Sequence, residues 1–178
     1  MRLKPADDLM QRAQRVKMIL MDADGVLTDG KIVFFSGGNE AKSFDSKDGV
    51  GIKLAQRAGL KTGVISGRES EALLRRCEEL GMDEIHQRVF EKLGAYEEIL
   101  ARLGLTDAEC CFIGDDLVDG PVLKRVGLPV GVADGHPSLE PLLAYVTERA
   151  GGAGAVREII DLVIRAQGKW DEVVSRYL

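Results

Sequence analysis

Residues 18–30 have the sequence MILMDADGVLTDG, in which an apolar run ends in two carboxylates one residue apart and a glycine follows. The run Val16–Met21 is nearly all apolar, which predicts a strand that is buried on both faces of a sheet. Asp22 and Asp24 stand at the carboxyl end of this strand. Because ligands bind at the carboxyl ends of strands in open α/β sheets, this strand end is the first candidate for a functional site.

The rest of the chain alternates between strand and helix patterns, which predicts βαβ units and a parallel sheet with helices on both faces. Further strands are predicted over Thr62–Ile65, Glu84–His86, Cys110–Ile113, Pro129–Val132 and Ala144–Thr147. Five helices are predicted. Four of them are indicated by apolar residues at helical spacing: Val50, Leu54, Ala55 and Ala58; Leu73, Cys77 and Leu80; Leu93, Tyr96, Leu100 and Leu103; and Val156, Ile159, Ile160, Val163 and Ile164. The fifth is a short helix over Leu117–Val126. Right-handed crossovers would bring every strand end to one edge of the sheet.

A β-hairpin is predicted over residues 31–44, because two β-rich stretches flank a Gly-Gly turn that favours positive φ. A hairpin just beyond a functional strand end is a natural flap or association surface, or an ordinary edge hairpin. The chain is predicted to form one domain over residues 1–178, with its core at about 16–167. Residues 1–15 form a polar lead-in with one short helix, and residues 168–178 form a charged tail.

Composition narrows the classes of function. The 178 residues are 45% hydrophobic and 30% charged, which is ordinary for a globular protein, and the net charge of -5 argues weakly against a nucleic-acid partner. No apolar run approaches the roughly 18 residues of a membrane span, and the charged start does not resemble a secretory signal. The three cysteines do not suggest a disulfide framework, so a cytoplasmic protein with reduced thiols is expected.

Polar groups end three of the predicted strands. Asp22 and Asp24 follow the first, Ser66 follows another, and the pair Asp115 and Asp116 follows a third. Lys92, at the start of a predicted helix, could reach the same edge. Carboxylates without nearby histidine or cysteine suit Mg²⁺, and a hydroxyl and an ammonium suit phosphate oxygens. A carboxylate can also attack phosphorus, while a second one protonates the leaving group and activates water.

Each of these residues also has an ordinary structural interpretation. An isolated Asp-x-Asp is usually a solvated turn, Ser66 is a good helix N-cap candidate, and Lys92 alone is a typical surface lysine. Asp115 and Asp116 could cap the helix that starts at Leu117. The functional interpretation is favoured by the conjunction, because three separate strand ends carry the groups that one chemistry requires.

These motifs resemble those of haloacid dehalogenase (HAD) superfamily phosphatases. Residues 22–26 resemble the first motif, Ser66 and Gly67 the second, Lys92 the third, and residues 114–119 the fourth. The resemblance implies a Rossmann-like (HAD-like) α/β fold without a large cap domain.

The resemblance also assigns roles. It implies that Asp22 is the nucleophile, that Asp24 is the acid and base, and that Ser66, Gly67 and Lys92 bind phosphate. The implied ligands of Mg²⁺ are Asp22, the main chain of Asp24, and Asp115. Asp116 and Asp119 would support the site from nearby.

A narrower resemblance is to the 3-deoxy-D-manno-octulosonate 8-phosphate (KDO 8-phosphate) phosphatases. It is carried by residues 24–30, 66–68, 145–147, 151–158 and 166–169. It implies hydrolysis of KDO 8-phosphate in lipopolysaccharide precursor biosynthesis. It also implies a cytoplasmic homotetramer in which hairpins pack together and a neighbouring subunit helps to close each site.

Two arginines are candidates for binding the substrate, an acidic sugar phosphate. Arg68 directly follows the phosphate motif and could bind the sugar carboxylate, since arginine grips carboxylates with two donors. Arg76, two helical turns further on, could point into a neighbouring site. Both could instead be solvated helix residues. The chain departs from the family pattern at two places: Gly120 stands where tryptophan is common, and residues 87–91 replace a stretch usually rich in Gly, Ser and Asn.

Three other functions compete with this one. A phosphatase for a related nonulosonate 9-phosphate would have an acidic residue after Gly67, where this chain has Arg68. A phospho-receiver module would carry its phospho-acceptor aspartate at the third strand, not near the first. A catalytically idle domain that only drives oligomerisation is disfavoured because Asp22, Asp24 and Asp115 are retained.

Overall fold

The architecture is described by a computed structural model for residues 6–178, with side chains from residue 8 onward. Its helices are α1 (Ala6–Arg15), α2 (Ser46–Arg57), α3 (Glu71–Leu80), α4 (Lys92–Leu103), α5 (Gly120–Leu123), α6 (Ala155–Ala166) and α7 (Trp170–Val174). Its strands are β1 (Met18–Met21), β2 (Val33–Phe34), β3 (Glu40–Ala41), β4 (Lys61–Ile65), β5 (Glu84–His86), β6 (Cys110–Gly114), β7 (Leu128–Gly131) and β8 (Tyr145–Val146). The short helix predicted in the lead-in corresponds to α1, and residues 1–5 lie outside the described part.

One parallel sheet of six strands organises the molecule, in the order β5-β4-β1-β6-β7-β8. β1 lies between β4 and β6, with Met21 opposite Val64 on one side and Ile113 on the other. Because all neighbours are parallel, the carboxyl ends of the strands meet at one edge. The predicted α/β fold is confirmed.

Helices cover both faces of the sheet, and β1 shows why its sequence is apolar throughout. Ile19 and Met21 belong to the core that α2 and α6 cover, while Met18 and Leu20 belong to the core on the other face, with α4 and α5. All four side chains are fully buried, and each such burial contributes about 1.5–3 kcal/mol to folding.

The predicted hairpin is present, although its strands are short. β2 and β3 pair antiparallel over two residues each, and the turn between them places Gly37 and Gly38 at φ 107° and 86°. Val33 and Phe34 are exposed. The hairpin therefore rests on few main-chain hydrogen bonds and has no apolar core of its own.

Several element bounds differ from the sequence prediction. β1 begins at Met18 because the Val16 N–H still bonds to Ala13 at the end of α1. The helix predicted over residues 117–126 is a 3₁₀ turn followed by α5, since Pro121 cannot continue the helical hydrogen bonds. Val50 is 48% exposed, because it lies two residues and about 200° away from the buried Ile52.

The tail contains a helix, α7, that was not predicted. Val173 and Val174 are buried, and the Arg165 guanidinium stacks 3.6 Å from the centre of the Trp170 ring. Within residues 6–178, no helix combines the length and the apolar character that a membrane crossing requires.

The glycine-rich stretch before α6 packs on the loop that follows β1. A methyl group on Gly151 would lie 1.7 Å from the Gly25 carbonyl oxygen, and the Gly152 N–H donates to Val26 at 2.9 Å. The Glu158 carboxylate accepts from the Tyr145 hydroxyl at 2.8 Å. This C-terminal stretch thus shapes the loop that carries Asp24, a role for which the sequence offered no chemical reason.

Candidate active site

Asp22 and Asp24 lie directly after β1, at the edge of the sheet. The Asp22 N–H donates to Ile113 at 3.0 Å, so the pairing of β1 with β6 extends to this residue. Asp22 is 7% exposed, whereas Asp24 is half-buried and lies nearer the surface. The two carboxylates therefore occupy different environments although they are two residues apart.

The loop after Asp24 is closed by Thr28. Its buried hydroxyl donates to the Ala23 carbonyl at 3.4 Å and accepts from the N–H groups of Gly25 and Gly30 at 3.4 and 3.2 Å. Gly25 has φ +99°, and a methyl group there would lie 2.1 Å from an oxygen of Asp115. Only glycine allows the loop to approach Asp115 this closely.

Carboxylates from two strand ends converge beside the loop. One oxygen from each of Asp22, Asp115 and Asp119 lies within 4.8 Å of the others. The Lys92 ammonium, at the first residue of α4, bonds to Asp22 at 2.6 Å and to Asp119 at 2.7 Å. Oδ1 of Asp115 is buried and has no hydrogen-bond partner. One lysine therefore faces three carboxylates, and the cluster carries excess negative charge.

This charge excess perturbs the protonation of the cluster. Burial raises the pKa of Asp22, although Lys92 acts in the opposite direction. Burial, and then the carboxylates of Asp22 and Asp119, raise the pKa of Asp115 to about 8. Burial alone would lower the pKa of Lys92, but Asp22 and Asp119 outweigh burial and raise it. The lysine therefore stays charged, while the carboxylates lack a full counter-charge.

Asp119 and Asp116 have different surroundings. Asp119 is fully buried, and its second oxygen accepts from the N–H groups of Asp115 and Asp116 at 2.9 and 3.4 Å. Asp116 is exposed, and its carboxylate accepts from the Leu117 N–H at 2.6 Å as a cap of the following turn. Asp119 therefore fixes both Lys92 and the loop, whereas the capping interpretation fits Asp116.

Ser66 follows β4 at the same edge. Its N–H donates to the His86 carbonyl at 2.8 Å, and its hydroxyl accepts from the Arg68 N–H at 3.3 Å. The cap of α3 is Ser70, whose hydroxyl accepts from the Leu73 N–H at 3.3 Å, so the N-cap interpretation of Ser66 is wrong. Ser66 is 2% exposed at this edge of the sheet and has no capping role.

Two hairpin residues reach the edge, and sequence reasoning missed both. Lys42 forms an ion pair with Asp24 and lies 3.4 Å from Glu40, which in turn pairs with Arg68. The Lys42 side chain is only 1% exposed. A sequence signal existed, because charged residues two positions apart in extended chain, here Glu40 on β3 and Lys42 directly after it, lie on the same face.

Arg76 lies on α3, away from the carboxylates. It pairs with Glu79 at 3.0 Å, and its guanidinium occupies the space that a side chain at Gly49 would fill. With Arg68, Phe34 and Glu40 it lines a cavity of about 720 Å³ between α3 and the hairpin. Within this chain, Arg76 faces the hairpin side of the site and not the cluster.

The cluster fits a divalent cation with hard oxygen ligands. The three carboxylates lie close enough together to contact one ion, and the Asp115 oxygen without a hydrogen-bond partner is available as a ligand. Gly25 lies so close to Asp115 that a side chain at position 25 would clash with it. The Lys92 ammonium contacts this cluster, and the Ser66 hydroxyl lies at the end of β4, the strand next to β1. Both are groups that bind phosphate oxygens.

Comparison with known proteins places the chain among phosphatases. The family model of haloacid dehalogenase-like hydrolases matches residues 47–127. The 3-deoxy-D-manno-octulosonate 8-phosphate phosphatase of Escherichia coli K12 is 42% identical over 165 residues, which cover 93% of this chain and 88% of that protein.

Two crystal structures are similar over most of both chains. That of 3-deoxy-D-manno-octulosonate 8-phosphate phosphatase from Yersinia pestis has a TM-score of 0.90 and 43% identity, and covers 92% of this chain and 88% of its own. The enzyme from Moraxella catarrhalis, in complex with a magnesium ion, a phosphate ion and a KDO molecule, has a TM-score of 0.95 and 34% identity, with 97% and 99% covered.

Proposed function

The chain belongs to the KDO 8-phosphate phosphatases, a branch of the haloacid dehalogenase-like hydrolases, and from this premise we propose that it hydrolyses KDO 8-phosphate to KDO and inorganic phosphate with Mg²⁺ as cofactor. The observation that carries the proposal is the cluster of Asp22, Asp115 and Asp119 around Lys92, with an unpartnered Asp115 oxygen. Such a cluster is costly to bury unless a cation completes it.

Asp22 is assigned as the nucleophile. One of its oxygens attacks phosphorus, the bond from phosphorus to the sugar oxygen breaks, and Asp24 gives that oxygen a proton. Asp24 then takes a proton from water, which attacks the phosphoryl group on Asp22, releases phosphate and regenerates the carboxylate. When bound, Mg²⁺ reduces the repulsion between the carboxylate and the phosphate and stabilises developing charge.

Other residues bind and orient the substrate. Ser66, the main chain of Gly67 and Lys92 are assigned to the phosphate, since they lie at the strand edge beside Asp22. Asp22, the main chain of Asp24, and Asp115 are assigned to the metal, with Asp119 holding Lys92 and the Asp115 loop in place. Asp116 is assigned no part in the site, because it is exposed and caps a turn.

Arg68 is assigned to the sugar carboxylate. Its Nη1 atom is buried without a hydrogen-bond partner while the same guanidinium pairs with Glu40, so one donor is left for a ligand. The alternative substrate, a nonulosonate 9-phosphate, also carries a carboxylate; it is disfavoured because the phosphatases that it implies have an acidic residue after the glycine that corresponds to Gly67, where this chain has Arg68.

Phosphate release from a panel of sugar phosphates tests the substrate. We expect kcat/KM to be highest for KDO 8-phosphate, and we expect Arg68→Ala to lower it mainly through a higher KM. Higher kcat/KM on a nonulosonate 9-phosphate would replace the substrate but keep the phosphatase. Inactivity on every sugar phosphate would favour the idle oligomerising domain.

The same proposal extends to the assembly, a cytoplasmic homotetramer acting in lipopolysaccharide precursor biosynthesis. It is supported by four exposed apolar residues on the hairpin, because such a patch is typical of a surface that another subunit buries: Ile32, Val33, Phe34 and Phe35. In the tetramer, Arg76 would face a neighbouring site. Light scattering is expected to give four chains per particle, and Phe34→Asp is expected to lower that number; a monomer in both cases would contradict the assembly.

A further inference from the structure

The hairpin delivers a buried lysine to the proposed acid and base. Lys42 follows β3 directly, and its ammonium contacts Oδ1 of Asp24 although the two residues are 18 positions apart. The Lys42 side chain is 1% exposed and that of Asp24 is 18% exposed. Burying a lysine is costly unless it is paired, so this contact has a structural or a chemical reason.

The outer part of the hairpin has little packing of its own. Its pairing spans two residues on each strand and its apolar residues 32–35 are exposed, whereas Phe44, where the hairpin ends, packs against the core. The ion pairs of Lys42 with Asp24 and of Glu40 with Arg68 join it to the loops after β1 and β4. The position of the hairpin and the orientation of the Asp24 carboxylate are therefore coupled.

We propose that Lys42 is a positioning residue, which holds the Asp24 carboxylate where it can deliver a proton to the leaving oxygen of the substrate. The inference rests on the proposed function, in which Asp24 protonates a sugar alkoxide. A carboxylate on a loop has free side-chain torsions, and proton transfer requires it within hydrogen-bond reach of the leaving oxygen. A buried ammonium bound to one carboxylate oxygen fixes those torsions and leaves the other oxygen for the proton.

This role predicts a dependence on the leaving group. A sugar alkoxide is a poor leaving group and needs the proton, whereas 4-nitrophenolate is stable as an anion and departs without one. A misplaced Asp24 therefore slows the sugar phosphate more than the aryl phosphate. A lysine that instead bound the phosphate itself would affect both substrates alike, because both carry the same phosphate.

The experiment compares Lys42→Met with the wild-type enzyme on KDO 8-phosphate and on 4-nitrophenyl phosphate, both with Mg²⁺. We expect kcat/KM, which reports the step that breaks the bond to the leaving group and not the later attack of water, to fall about tenfold or more further on the sugar phosphate than on the aryl phosphate. In an Asp24→Asn background, Lys42→Met should not change the ratio of the two rates further, since Lys42 acts through Asp24. Lys61→Met makes the same change in an exposed ion pair at the amino end of the sheet, and it should leave the ratio of the two rates unchanged.

Three results would overturn the proposal: an equal fall in kcat/KM on both substrates, a rise in KM common to both, or no fall in kcat/KM. An equal fall would point to a structural role, and a common rise in KM to a phosphate contact. Thermal unfolding of each variant checks folding, and Lys42→Gln, which keeps a hydrogen-bond donor, replaces Lys42→Met if that variant fails to fold. If wild type favours another alkyl phosphate, the ratio is measured on it, so the two proposals fail separately.

Discussion

The two ends of the parallel sheet differ in how their charged side chains are paired. At the amino end the charges form exposed ion pairs, whereas at the carboxyl end buried carboxylates outnumber the lysine that faces them. At the amino end, Lys17 pairs with Glu109 at 2.5 Å and Lys61 pairs with Asp83 at 3.2 Å, and both lysines are largely exposed. Each charge there has a partner and water, so such pairs contribute little to stability. At the carboxyl end, three carboxylates share the buried Lys92, which indicates that this end is adapted to bind a cation and not for stability.

The two ends also differ in which residues have a positive φ. At the amino end, α2, α3 and α4 are followed by glycines with positive φ: Gly59, Gly81 and Gly104. The carboxyl end also has a glycine with positive φ, Gly25, but it adds Arg88 with φ 60°, and within residues 6–178 no other residue besides glycine has a positive φ. Its neighbour Val89 donates to the Ser66 carbonyl at 3.0 Å, so the strained position lies against the loop that we propose binds phosphate.

The largest expected effect comes from removing one carboxylate at the carboxyl end. Asp22→Asn should lower kcat by about a thousandfold or more, because it removes the proposed nucleophile. The fold should persist, since the change relieves repulsion in the cluster. Asp83→Asn at the amino end is the matched control and should leave kcat almost unchanged. Asp22→Asn with a near wild-type rate would remove Asp22 as the nucleophile.

Removing the lysine tests the contrast in stability. Lys92→Met should lower the free energy of unfolding by about 3–5 kcal/mol without metal, because Asp22 and Asp119 lose their buried partner. Lys61→Met should cost less than about 1 kcal/mol, since its pair is exposed. Urea unfolding in EDTA measures both, and equal losses would show that the two ends do not differ as described.

The pH dependence of stability should have opposite signs at the two ends. The pKa of Asp115 is raised from 3.8 to about 8, so the folded chain holds a proton that the unfolded chain releases, and that stability is lost as pH rises toward 8. The pKa of Glu109 is lowered from 4.5 to about 2 by hydrogen bonds from Lys17 and Thr106, so its contribution is present above pH 4.5 and is lost as pH falls from there through 2.

Calorimetry of the metal-free protein checks this prediction. The Tm should decrease from pH 6 to pH 8, and Asp115→Asn should flatten the decrease. Since Mg²⁺ replaces the proton, the gain in Tm on adding Mg²⁺ should be larger at pH 8 than at pH 6. A gain that is equal at both pH values would contradict the assignment of Asp115 to the metal.

The smallest effect concerns the backbone. Arg88→Gly should raise the free energy of unfolding by about 0.5–1 kcal/mol, because relief of the left-handed strain exceeds the added entropy of the unfolded chain. Arg75→Gly makes the same change within α3 and should lower it by about 1 kcal/mol. If both variants lose stability, Arg88 is not strained.

Local patterns predicted much of this architecture. The apolar run before Asp22 and the alternating strand and helix signals were sufficient to predict that Asp22, Ser66 and Asp115 lie at one edge, because the carboxyl ends of parallel strands meet there. Lys92 also lies there. Val50 was misplaced because helical spacing alone does not say which face packs against the sheet.

Contacts between distant segments were beyond the sequence. The pairing of Lys42 with Asp24 depends on how the hairpin folds back, which two-residue strands do not specify. Asp115, Asp116 and Asp119 are close in sequence, and only the 3₁₀ turn at residues 117–119 decides that Asp119 points inward and Asp116 outward. The packing of Gly151 on Gly25 likewise joins opposite ends of the chain.

Phosphate release from KDO 8-phosphate, measured on wild type with Mg²⁺ and again with EDTA, tests the central claim most directly. The account predicts rapid release with Mg²⁺, near-complete loss with EDTA and recovery when Mg²⁺ is restored, because the carboxyl-end cluster needs a cation to accept a phosphate. Release at the same rate in EDTA, or no release from KDO 8-phosphate with Mg²⁺, would contradict it.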